Sequence, residues 1–165
     1  MISESDRAAV EAQLGRVPRG LRAVAHRCAC GLPDVVETAP RLEDGSPFPT
    51  LYYLTCPRAA SAVGRLEADG VMSSMTDRLA DDEALAASYA DAHADYLARR
   101  DAVEVLPGAP GAGGMPTRVK CLHVLVAHEL ATGANPLGRE AIELTADDPR
   151  NVWGQLPPCV DVPGP

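Results

Sequence analysis

The chain has 165 residues, 46% of them apolar, with 15 Lys and Arg against 23 Asp and Glu and a formal net charge of −8. That length and apolar content suit one domain with a real core. The acidic balance argues against nonspecific binding to nucleic acid or to an anionic membrane surface while leaving room for local basic pockets, and no apolar run reaches membrane-spanning length.

The N-terminal stretch MISESDRAAVEAQLGR lacks the apolar segment of an export signal, so a cytoplasmic protein is expected. Its residues 3–14 read as a short amphipathic helix capped by Ser3 or Ser5, with Val10 and Leu14 on the apolar side and Pro18 and Gly20 ending it. Residues 21–30, LRAVAHRCAC, alternate as a strand does. Residues 35–38 form a second strand, and Asp44-Gly45 marks a turn before the next apolar run. Residues 50–55, TLYYLT, are rich in β-branched and aromatic side chains and read as a third strand.

Cys56-Pro57 starts a helix, since proline suits the first helical position and leaves Cys56 as N-cap. Gly70 ends it, and residues 71–79 form another short helix. Residues 81–100 form a long helix, with Asp81, Asp82 and Glu83 at its start and Arg99 and Arg100 at its end, as the helix dipole favours. On it, Tyr89, His93, Tyr96 and Arg100 recur at helical spacing, as a packing stripe with polar tips at the rim or as a pocket lining.

The glycine-rich stretch GAPGAGG then leads into residues 117–132, read as a helix capped by Thr117 and ended by Gly133. Val119, Leu122, Val126 and Leu130 keep one period, and Cys121, Val124, Leu125 and His128 keep an adjoining one. A helix so apolar around its circumference belongs at the centre of the molecule. Residues 136–144 form a last helix, and the Pro- and Gly-rich tail from Asp147 is loop-like. The pattern predicts an α+β fold: one domain over residues 1–146, a small, mostly antiparallel sheet of about three strands covered by about five helices, and a tail over 147–165.

Two constellations carry chemistry. The first is the start of the 117–132 helix. Helix starts favour carboxylates, yet Arg118 and the sole lysine, Lys120, stand here. An anion resting on the helix N–H groups reconciles them, with the Gly113–Gly114 backbone approaching it closely and His123 donating a hydrogen bond. The competing reading is a linker followed by a core helix with solvated cations. The stretch lacks the Gly-Lys-Ser/Thr ending of a phosphate loop. His123 is the candidate general acid or base by residue type. The expected partner is a small anionic, phosphate-bearing ligand.

The second constellation is H-x-C-x-C: His26, Cys28 and Cys30 on one face of the first strand, with Cys56 and Cys121 available to complete a zinc shell. The alternative is that these thiols pack as small hydrophobic groups. Five cysteines in a chain without an export signal argue against a disulfide framework. Cys56 admits one more reading, a thiol activated by a helix start, against that of an inert cap. Function therefore stands between an anion-binding domain and a noncatalytic regulatory or interaction protein with a structural zinc.

The segments SPFPTLYYLTCP, LEADGVM, DAHADYLARRD, GGMPTRVKCLHVLVAHELA and NPLG together resemble a bacterial domain-of-unknown-function family, the one numbered five hundred and one. The likeness runs over residues 15–138 and implies no activity, cofactor or site residue.

Overall fold

The computed structural model describes residues 1–162. Its elements in chain order are α1 (Glu4–Leu14), β1 (Leu21–Arg27), β2 (Pro33–Thr38), β3 (Tyr52–Leu54), α2 (Pro57–Ala68), α3 (Val71–Asp81), α4 (Glu83–Asp101), α5 (Leu122–Thr132) and α6 (Pro136–Ala146). The α+β architecture is as the sequence predicts. The three strands form an antiparallel meander in the order β1-β2-β3. Among the described residues no helix is long and apolar enough to cross a membrane.

Local chemistry sets most element ends. The Ser3 hydroxyl accepts from the Asp6 N–H at 3.1 Å, and α1 closes on Gly15 in the left-handed region, ahead of Pro18 and Gly20. Cys56 caps α2 with Pro57 behind it, while Asp82 and Asn135 cap α4 and α6 through side chains that accept from Leu85 and Gly138 N–H. β1 ends at Arg27, earlier than alternation suggests. Cys28 and Leu32 close a hairpin turn (Cys28 N–H to Leu32 O, 2.9 Å) that needs Gly31 at φ +91°.

α5 is the hub. It packs on β3, α2 and α6, and Leu122, Leu125, Val126, Ala127 and His128 are all fully buried. Its length corrects the sequence reading: it begins at Leu122, and residues 117–121 are not helical. Val119 keeps the helical period and is buried, but for another reason. Its N–H donates to the Thr76 hydroxyl of α3 at 3.0 Å, and the neighbouring Arg118 carbonyl accepts from the Tyr89 hydroxyl of α4 at 3.0 Å. These long-range bonds hold the segment against α3 and α4.

The α4 stripe is core packing. Tyr89, Tyr96 and Arg100 are fully buried, and Arg100 Nη1 donates to the Pro49 carbonyl at 3.1 Å instead of reaching a rim. Tyr96 and His128 meet edge-to-face, and Tyr52 stacks on His128. The tail after Ala146 has no helix or strand through residue 162, but it is tied back: Arg58 donates to the Gln155 and Pro157 carbonyls at 2.8 Å each, and Arg65 pairs with Asp148.

Candidate functional site

The glycine loop closes on itself just before α5. The Lys120 and Cys121 N–H groups both donate to the Gly113 carbonyl, at 2.8 and 3.3 Å, and the Arg118 N–H donates to the Gly114 carbonyl at 3.1 Å. Gly114 sits at φ +91°, and a Cβ there would lie 2.6 Å from the Arg118 oxygen and 2.8 Å from the Lys120 nitrogen. Only glycine permits that closure.

The closed loop walls a cleft of about 410 Å³ lined by Gly111, Gly113, Gly114, Met115, Thr117, Arg118, Lys120 and Cys121. Arg118 and Lys120 are exposed, Val119 between them is buried, and neither cation has a carboxylate partner among the described residues. These two cations precede α5 instead of occupying its first turn.

The start of α5 is neutralised by another group. The Glu67 carboxylate, from the end of α2, accepts from the Leu122 N–H at 3.0 Å and lies 2.7 Å from His123 Nδ1. Thus the carboxylate that the dipole calls for arrives from a different helix. Sequence patterning does not single out Glu67, though it leaves a trace there: an acid in the last turn of α2 faces an unfavourable dipole end unless something rewards it.

His123 Nε2 lies 3.1 Å from the Ala60 carbonyl, so both ring nitrogens are engaged. Its neighbours Cys121, Glu67 and the Ala60 carbonyl raise it to about 9 against the effect of burial. Burial pushes the Cys121 thiol up, but His123 and the Val124 N–H outweigh it and hold the thiol below its ordinary value. His123 does not line the basic cleft. It opens on a neighbouring cleft of about 420 Å³ with Thr50, Tyr52, Tyr53, Leu54, Ala60 and Val124, and Cys121 forms part of the wall of both.

Among the described residues, no three of the donors His26, Cys28, Cys30, Cys56 and Cys121 lie within 4.8 Å of one another. His26 turns to Asp34, with Nδ1 at 2.7 Å from Oδ1. Cys28 and Cys30 lie beside each other in the hairpin turn, off the strand face, because β1 has already ended. Cys159 of the tail sits between Cys30 and Cys56. Cys56 is fully buried, and that burial pushes its thiol up to about 12, the opposite of activation by a helix start. Cys121 lies apart from them at the α2–α5 junction. Among the described residues, the group of three donors lying within 4.8 Å of one another is Glu67, Cys121 and His123.

Another cleft, of about 300 Å³, lies between α1 and the sheet, bounded by Val10, Leu14, Leu21, Val36, Phe48 and Tyr53. Arg16 and Arg19 also line it, Arg19 paired with Asp44 at 3.2 Å.

Residues 24–143 match the family described as "Protein of unknown function (DUF501)", and the chain belongs to that family. No curated protein and no solved structure matches the chain.

Proposed function

We propose that this DUF501 protein binds a small anionic, phosphate-bearing ligand in the basic cleft beside α5. One observation carries the reading: Arg118 and Lys120 share a concave surface, have no carboxylate partner among the described residues, and stand on a backbone fixed by the Gly113 and Gly114 carbonyls. Two cations held together repel each other, and an anion between them reverses the sign of that interaction. The attraction comes from the side chains and the loop, because the Leu122 N–H already serves Glu67. His123 lines the neighbouring cleft and has both ring nitrogens engaged by Glu67 and Ala60, which leaves it no proton-transfer role at this one. The five free thiols suit a reducing compartment, and we place the protein in the cytoplasm.

The test is calorimetric titration with inorganic phosphate, pyrophosphate and nucleotides at low and high salt. Lys120→Ala is expected to leave the fold intact and weaken binding by about 1–3 kcal/mol, the range of a charge-assisted hydrogen bond. Absence of binding across the panel, or affinity unchanged by Lys120→Ala and Arg118→Ala together, refutes the proposal.

A further inference from the structure

We infer that Glu67, Cys121 and His123 form a binding site for a divalent ion of the zinc class, with a carboxylate, a thiolate and an imidazole as ligands and one coordination position left open. The three donor atoms lie within 4.8 Å of one another. Ligands around a tetrahedral zinc, at roughly 2.0–2.3 Å from the ion, stand roughly 3.3–3.8 Å apart, so closing on an ion needs shifts of less than about 1 Å in each side chain. Sulfur, nitrogen and oxygen donors together suit zinc better than magnesium or calcium, which take oxygen alone.

The same three residue types also build proton relays, and the geometry separates the two cases. A relay places the thiol on one imidazole nitrogen and the carboxylate on the other. Here the carboxylate is on Nδ1 at 2.7 Å, and Nε2 faces the Ala60 carbonyl at 3.1 Å, so neither nitrogen is left to the thiol alone. The donors converge on a point instead of forming a line.

The surroundings are those of a metal ligand set. Nε2–H donating to the Ala60 carbonyl fixes the tautomer that presents Nδ1 to an ion. The Leu122 N–H bond to Glu67 Oε1 holds the carboxylate in place. With Cys121 as thiolate, Glu67 as carboxylate and His123 neutral, the ligand set carries two negative charges toward a doubly charged ion. The side chains of His123 and Glu67 are 32% and 24% exposed, so an ion can reach them from solvent. Because Cys121 walls both clefts, the open position faces space that a substrate or water can occupy. This site stands independently of the anion reading, since its ligands are not those of the basic cleft apart from Cys121.

Full-length protein, purified metal-free under reducing conditions, is titrated with Co²⁺. One equivalent should bring a sulfur-to-cobalt charge-transfer band that Cys121→Ser abolishes, while Glu67→Gln and His123→Gln lower affinity by about tenfold or more. Cys28→Ser and Cys56→Ser should keep the band. Absence of the band in the wild type overturns the proposal. So does a band that survives Cys121→Ser and disappears in Cys28→Ser or Cys56→Ser, which would place the ion at the cysteines around Cys159. If Cys121→Ser does not fold, alkylation of the wild type decides: one equivalent of Zn²⁺ should protect Cys121 from iodoacetamide, and unprotected Cys121 overturns the assignment.

Discussion

Replacing glycine with alanine at two helical positions should shift stability in opposite directions. Gly64 lies inside α2, and a Cβ built there meets nothing within 4 Å. Gly138 lies in the first turn of α6, and a Cβ there would stand 2.1 Å from the Leu125 carbonyl oxygen, 2.7 Å from its carbon and 3.0 Å from Glu129 Cβ. Alanine in a helix gains roughly 0.5–1 kcal/mol over glycine through the unfolded chain, so Gly64→Ala should stabilise by about that amount. At Gly138 the same gain meets backbone that must part by roughly 1 Å, separating Leu137 and Ala141 from Leu125 and Val126 in the core, and overpacking of this kind costs roughly 1–3 kcal/mol or more. The net expectation for Gly138→Ala is a loss of about 2 kcal/mol. Urea unfolding followed by circular dichroism should show a midpoint about 1 M lower for Gly138→Ala and a few tenths of a molar higher for Gly64→Ala, with the slope unchanged. Equal shifts in one direction, or an unmoved midpoint for Gly138→Ala, would refute the close approach of α5 and α6.

Two further predictions concern the core around α5. Tyr96→Phe removes the oxygen that accepts from the Leu51 N–H at 2.6 Å and leaves that donor buried, so calorimetry should register a loss of about 1–3 kcal/mol; no loss would mean that the bond is not made. His128 is held neutral: burial pushes it below the ordinary histidine value against the pull of Asp95, and its Nδ1 faces the Asn135 amide nitrogen at 3.2 Å, a second donor. Arg99, Glu129, Tyr52 and Tyr96 also face it. The folded state therefore takes up this proton less readily than the unfolded state does. The sign follows: stability is intact above about pH 6.5 and falls as pH drops below it. Burial and Arg100 lower His93 as well, with the same sign, so variants must be compared. The wild type should lose stability more steeply than His128→Gln, by up to about 1.4 kcal/mol per pH unit, and parallel curves would count against a neutral His128.

What the sequence by itself determined is local. Ser3, Cys56-Pro57, Asp82 and Asn135-Pro136 start helices where they stand, because capping involves only the next few residues. The composition of residues 50–55 suffices for a strand, and the apolar periods through Leu122, Leu125 and Val126 suffice for a buried helix. The tertiary structure decided whatever depends on partners distant in the chain. Val119 has the period of α5 but belongs to the loop, because Thr76 and Tyr89 claim the backbone around it. Cys28 and Cys30 alternate like strand residues but leave the sheet in a turn, and Cys159 joins them only because the tail folds back. Glu67 was the group least legible in the sequence, since its partner N–H lies 55 residues away on another helix. Periodicity and capping report what a residue prefers among its neighbours, whereas three donors meet within 4.8 Å only once α2 and α5 have docked.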